Sequence, residues 1–206
     1  EPLISENLKG SKVKKTAEGI YGSTEWTLKN GLKVVVLPTE YKKDQVIMNL
    51  KFDGGKTLVS DEEIVSLEDN IWSVYLNNTG ISKFPSTVLS KMLAGKNVSM
   101  NPYIGGTQHC FSGQITPKHL ETAFQLMYLL FAEPRFDAEE YATGIQQIEA
   151  ILPNIENNPD FLFQNYVSKT LYGGNKRVVE LNDETLAKAS LETIETVYRR
   201  LFDNVG

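Results

Sequence analysis

Thr24-Glu-Trp-Thr-Leu-Lys-Asn-Gly-Leu-Lys-Val-Val-Val-Leu-Pro-Thr39, followed by Gln45-Val-Ile-Met-Asn-Leu-Lys-Phe-Asp-Gly-Gly55, is the stretch from which the fold is read. Trp26 and Leu28 alternate with Thr27 and Lys29, the pattern of a half-buried strand. Asn30 and Gly31 are the residues that most easily take positive φ, so a tight hairpin turn is expected there. Leu32 to Leu37 is nearly continuous apolar, which predicts a strand covered on both faces. Pro38 has no N–H to give a ladder and ends it. After a polar loop, Glu40 to Asp44, the residues Val46, Met48, Leu50 and Phe52 recur with period two and stop at Gly54-Gly55. Three strands, antiparallel at least at the first turn, thus offer a sheet for later helices.

Those helices follow in order. Ile64, Leu67, Ile71, Val74 and Tyr75 make one apolar stripe, predicting a helix that starts at Ser60 or Asp61 and stops at Asn77-Asn78-Thr79-Gly80. A short helix is expected from Pro85 or Ser86 to Leu93. Lys96 to Ile115 reads as a second hairpin, with Gly105-Gly106 at its turn and His109, Phe111 and Gly113 on one face. Thr116-Pro117 opens a helix whose expected core positions include Phe124, Met127 and Phe131. Asp137 caps the next helix towards Leu152, and Asn157-Asn158-Pro159 breaks the chain. Phe161 to Leu171 is again helical, and Asp183 or Ser190 starts the last helix, through Leu191, Ile194, Val197, Tyr198 and Leu201. The predicted class is α+β, a mostly antiparallel sheet with helices packed on one face.

A net charge of −5 over 206 residues argues against a nucleic-acid footprint. No apolar run is long enough to span a membrane. Cys110 is the single cysteine, so neither an internal disulfide nor a thiolate metal cage can form. Residues 1–22 read as a linker entering from something upstream, and 23–206 as the domain proper.

Particular words in that order carry a resemblance. They are Leu28-Lys-Asn-Gly-Leu-Lys-Val34, Phe52-Asp-Gly-Gly55, Leu93-Ala-Gly-Lys-Asn-Val-Ser-Met-Asn-Pro-Tyr103, Phe111-Ser-Gly-Gln-Ile-Thr-Pro-Lys-His-Leu-Glu121 and Leu126-Met-Tyr-Leu-Leu-Phe-Ala-Glu-Pro-Arg-Phe-Asp137. Together they resemble one domain of the insulinase (pitrilysin-type) zinc metallopeptidases, the superfamily of the mitochondrial processing peptidase. The resemblance is to the start of the second half of two-half members. It implies that the part upstream of the linker is another half. It also implies that the domain is incomplete at its C-terminal end, with strands past residue 206 that complete the sheet.

Active members of that family hold zinc with His-x-x-Glu-His on the first helix after the second strand. Residues four apart share a helix face, so two imidazoles can grip one metal while the Glu activates its water. This chain has no histidine there. The nearest echo is Val65-Ser-Leu-Glu-Asp69, in which Glu68 falls at the Glu position while Val65 and Asp69 replace the ligands. A register one turn later offers only Asn70, Trp72 and Val74. Glu68 then reads as a solvated carboxylate on the polar side of the helix. His109, in a strand, and His119, near a helix start, form no i, i+4 pair and read as structural. Cys110 neighbours His109, but adjacent strand residues face opposite sides. Glu149 is the residue to compare with the family's distal Glu ligand. Gly54-Gly55, Gly105-Gly106 and Gly173-Gly174 lack the lysine of a phosphate loop and read as turns.

The resemblance therefore implies a domain with no catalytic residue, no metal and no cofactor of its own, zinc being expected in the catalytic half of the parent protein. Its substrate-binding residues are unknown from sequence. Its expected partners are a zinc-binding half, on the same chain or a paired subunit, and unfolded peptides, with no nucleic acid and no membrane span. The expected role is part of a peptide-enclosing chamber. The alternatives are a structural subunit like the core proteins of the respiratory cytochrome complex, or an interaction module without a protease partner. The compartment stays open, with periplasm or cell envelope favoured.

Overall fold

A computed structural model describes residues 3, 4, 6 and 8–203. Among the described residues six strands and seven helices follow one another, one strand (the first) and one helix more than expected from the sequence. Every strand pairing among them is antiparallel, and the strand from Val46 joins a different sheet from the two before it rather than extending theirs. The strands fall into two three-stranded sheets. β1 (Val13–Glu18), β2 (Thr24–Leu28) and β3 (Lys33–Val36) form one, in that order. β4 (Val46–Asp53), β5 (Asn101–Ile104) and β6 (Gln108–Ile115) form the other, with β6 in the middle. β1 lies inside the stretch read as a linker, whose residues 1, 2, 5 and 7 fall outside the description, as do residues 204–206.

The hairpin between β2 and β3 departs from the expected turn. Only Gly31 takes positive φ, at 92°. Gly31 N–H donates to the Leu28 carbonyl at 3.1 Å and Leu28 N–H to the Leu32 carbonyl at 2.8 Å. That is a three-residue loop closed by a left-handed glycine, which leaves Asn30 in ordinary backbone. Nor is β3 covered on both faces, since Val35 is 55% and Val36 41% exposed. Continuous apolar sequence marked a strand correctly, but the neighbours that would cover it are not among the described residues.

The second sheet is one-sided. On β6, His109, Phe111, Gly113 and Ile115 are buried, while Gln108 and Gln114 are exposed and Cys110 and Ser112 half-buried. The buried face receives α3 (Leu120–Ala132) and α7 (Leu191–Phe202). Phe111 is fully buried, its ring centroid 4.5 Å from those of both Phe131 and Phe202. α1 (Asp69–Asn78) lies against α4 (Ala138–Glu156), where Gly144 leaves room for Val74; a Cβ at Gly144 would stand 2.1 Å from Val74 Cγ1. Asp137 caps α4 by accepting from the Glu139 and Glu140 amides, both at 3.0 Å. α2 (Ser86–Leu93), α5 (Pro159–Leu171), capped by Asn158, and α6 (Asp183–Lys188) complete the helices. None is long and apolar enough to cross a membrane.

α3 corrects one core assignment. Its buried residues are Ala123, Leu126 and Leu129, with Met127 and Phe131 partly buried and Phe124 50% exposed. The helix is apolar over most of its circumference, so periodicity alone does not fix which arc meets the sheet.

Two substitutions separate these environments. Phe111→Ala removes a ring packed on all sides and should cost ~3–5 kcal/mol. That corresponds to a fall in Tm on the order of 10 °C. Phe124→Ala should cost only about 1 kcal/mol, because half of that ring is already in water. Calorimetry of both variants checks the ranking, and equal losses would overturn it.

Candidate functional site

The segment from Ser60 to Asn78, expected from its apolar stripe to be one helix, is two elements. Glu63–Leu67 is a 3-10 turn, and α1 begins at Asp69. Between them Glu68 adopts φ −56° and ψ 139°, which stops one helical element before the next starts. Ser60 and Glu63 fix the near end as a reciprocal capping box. Glu63 N–H donates to Ser60 Oγ at 3.2 Å, and Ser60 N–H to Glu63 Oε2 at 2.9 Å. Arg200 of α7 grips the same carboxylate through both of its terminal nitrogens, with Nη1 2.8 Å from Oε2. Led by that hydrogen bond, these contacts hold the Glu63 carboxyl at a pKa of about 2. Ser66, fully buried, accepts the Ser190 N–H at 3.1 Å and ties the turn to the start of α7.

Glu68 is not the solvated carboxylate read from sequence. It is 9% exposed and caps α1. Its Oε2 accepts from the Asn70 and Ile71 amides at 2.9 and 3.1 Å, and its Oε1 from Asn70 Nδ2 at 2.9 Å. A negative charge at the positive end of a helix is favourable, which suits Glu to this place. Val65 sits half-buried in the 3-10 turn and Asp69 stands exposed on α1, with Lys56 Nζ 3.2 Å from its Oδ1. The break puts these two positions in different elements, so they share no helix face.

The residues present do not fit zinc. Val65 has no donor atom, both oxygens of Glu68 are engaged by α1, and Asp69 is paired with a cation. No group of three or more His, Cys, Asp or Glu stands close enough to hold a metal among the described residues. Glu149 is exposed on α4. His119 ends the 3-10 turn before α3, its N–H donating to the Thr116 carbonyl at 2.8 Å.

His109 is a structural junction. It is 3% exposed, accepts the Gly55 N–H at Nδ1 over 3.2 Å and donates from Nε2 to the Leu201 carbonyl over 2.8 Å. That pairing fixes the neutral ring with its proton on Nε2. Phe52 stacks on it at 5.2 Å and Phe202 meets it edge-on at 5.1 Å. Burial pushes its pKa below the usual histidine value, against the raising effects of the Leu201 hydrogen bond and the Asp53 charge. Cys110 points to the opposite side of the sheet, its thiol pKa raised by burial, so no thiol–imidazole pair exists.

What the structure adds, and the sequence did not single out, is the open face of the second sheet. Strand register sets out its rows: Lys51, Cys110 and Tyr103, then Asn49, Ser112 and Asn101, then Ile47 and Gln114. Ser112 Oγ donates to Asn49 Oδ1 at 2.8 Å. Amides and hydroxyls dominate this face, with Tyr103 61% and Ile47 64% exposed. The period-two alternation of β4 and β6 was the signal that could have marked it.

No family model matches the chain. Over 155 residues it is 27% identical to a zinc protease PQQL-like protein of Arabidopsis thaliana, which covers 75% of this chain and 14% of that protein. The structure superimposes on the periplasmic protease PqqL from Escherichia coli with a TM-score of 0.75 at 16% identity, covering 98% of this chain and 22% of that one. A peptidase M16 inactive domain from Pseudomonas fluorescens matches with a TM-score of 0.63 at 15% identity, over 85% of this chain and 42% of that one. The chain thus spans less than half the length of each, and its fold is that of an insulinase/pitrilysin-like peptidase domain.

Two measurements follow from this geometry. Glu68→Ala should cost ~1–2 kcal/mol by loss of the cap, while Glu68→Gln, which keeps an accepting oxygen, should cost clearly less in denaturant unfolding. Equal losses would contradict the capping role. The pH dependence has a definite sign. His109 binds its proton more weakly folded than unfolded, so its stabilisation is complete above the unfolded pKa of about 6.5 and declines as pH falls below it. Glu63 adds a second loss below about 4.5, continuing towards pH 2. Tm should fall between pH 7 and 5.5, and His109→Gln should flatten that interval.

Proposed function

We propose that this chain is a metal-free, non-catalytic domain of an insulinase-like zinc metallopeptidase, and that it forms part of the wall of a peptide-enclosing chamber. The observation that carries the reading is the use made of Glu68. In the proposed correspondence, Val65, Glu68 and Asp69 occupy the positions of His-x-x-Glu-His. The only one of the three with the family's residue type has its carboxylate engaged in capping α1. A catalytic glutamate must keep an oxygen free to take a proton from metal-bound water. Here Oε2 is committed to the two backbone amides that start α1, and Oε1 to the side-chain amide of Asn70. The domain therefore keeps the shape of the fold without its chemistry.

A role in shape requires a surface that meets something. The helices cover one face of the second sheet, and the other face, with its amides, hydroxyls and Tyr103, faces solvent. That open face is the proposed wall, set across from a zinc-binding half on the same chain or in a paired subunit. A wall of this kind excludes water and folded proteins and orients a flexible peptide against a metal held elsewhere. Likeness to a domain described as inactive, and to two proteases several times longer than this chain, one of them named a zinc protease, supports the reading.

The test is made in the parent protein. Deleting residues 25–206 should leave its zinc content intact and abolish peptide turnover. The 206-residue chain by itself should hold no stoichiometric zinc by elemental analysis. Full turnover by a folded, zinc-loaded deletion variant would refute the wall and favour an assembly module.

A further inference from the structure

We propose that a groove at one end of the open sheet face binds an acidic segment of an extended peptide. The inference rests on the chamber-wall reading for the class of its ligand and on the groove itself for the sign of its charge. The groove has a volume of about 620 Å³. Its floor is held by backbone pairing. Ser99 N–H donates to the Gln114 carbonyl at 3.0 Å, Thr116 N–H to the Asn97 carbonyl at 2.9 Å, and Val98 bridges Ile115 between them. β4 pairs with the same stretch through Val46 and Ile115. Such a floor does not need to be ordered by a ligand.

The walls are basic. Lys42 and Lys43 stand on the loop before β4, and Lys96 follows Gly95, which turns the chain at φ 76°. Among the described residues none of these lysines forms an ion pair, and Asp44 is the single carboxylate lining the groove. Three ammonium groups around one concavity repel one another, and an anionic ligand relieves that repulsion. The rest of the molecule sharpens the contrast. Residues 1–56 carry ten lysines against seven carboxylates, whereas residues 57–206 carry eleven lysines and arginines against nineteen carboxylates. An acidic chain is therefore repelled by the helical part of the molecule more than by its first quarter, to which Lys42 and Lys43 belong. The groove is where those two meet Lys96.

The lining favours peptide over nucleic acid. No aromatic side chain lines the groove for a base to stack on. Gln114, Ser99 and Asn97 present amide and hydroxyl groups that match a peptide backbone. The groove also runs into the row of Ile47 and Gln114, and from there onto Asn49 and Ser112, so a bound chain has a continuous path along the open face.

The experiment uses the 206-residue chain and fluorescein-labelled, unstructured ten-residue peptides of Gly and Ser with four Glu, four Gln or four Lys. Anisotropy should show the Glu peptide binding at least tenfold more tightly than the other two, with the preference falling as salt rises from 50 to 300 mM. The variant Lys42→Gln/Lys43→Gln/Lys96→Gln should lose the preference with an unchanged Tm, since these side chains stand on the groove walls outside the core. Equal binding of Glu and Gln peptides overturns the proposal, as does a preference that survives the triple variant. A single-stranded oligonucleotide of equal charge that binds as tightly as the Glu peptide overturns the peptide assignment. The outcome is separable from the chamber wall, because a selective groove in a chain whose deletion leaves parent turnover intact would sink the wall and keep the groove.

Discussion

The buried imidazole of His109 is the constraint on which the rest of the structure hangs. A polar ring in an apolar interior is tolerated only when its polar atoms are satisfied, and both nitrogens of this one are. One partner is Gly55, just past the end of β4; the other is Leu201, in the last turn of the C-terminal helix. Fixing that one ring positions β6, the turn after β4 and α7 together, across sequence separations of 54 and 92 residues. The turn must then be glycine. Gly55 lies at φ 52°, and a Cβ there would stand 2.3 Å from the Gly105 carbonyl oxygen of the adjoining hairpin. Gly54 donates to Thr107 and Lys56 to Gly105, which closes the turn over that hairpin.

From this junction the segment that follows is held from the far end of the chain. Arg200 clasps Glu63 and the Leu58 carbonyl, while Arg177 binds the carbonyls of Lys56 and Val59 and the carboxylate of Asp61. Arginine suits this work because its planar fork serves a carboxylate and a carbonyl at once. So the segment from Lys56 to Glu63, which leads into the 3-10 turn, is bound on several sides by side chains from the C-terminal third. Just after that turn, Glu68 caps α1 through the Asn70 and Ile71 amides. Helices cover one face of the second sheet and leave its other, largely polar face open.

Much of this was legible in the residues. Period-two alternation gave β4 and β6 and their inward faces, Asp137 gave the start of α4, and Asp183 and Ser190 each proved to mark a helix, where one had been expected. Asn158-Pro159, read as a break before a helix from Phe161, is instead the cap and first residue of α5. The missing histidine pair was legible too, because ligation is a property of residue type. The misread positions share a cause. Val35 and Val36 have strand sequence but no cover, Phe124 belongs to an apolar arc wider than its contact, and Glu68 looked like surface because acidic residues usually are.

What the sequence determined by itself was therefore local: the strands, the caps, the turns needing glycine, and the lack of any histidine on the first helix. These depend on residues within a few positions of one another, and on chemistry that no packing can supply. Tertiary structure alone decided which arc of α3 meets the sheet, that the stripe from Ile64 to Tyr75 breaks at Glu68, and that Lys42, Lys43 and Lys96 border one groove. Each of those outcomes rests on contacts between residues far apart in the chain, made where burial and charge balance across several elements at once.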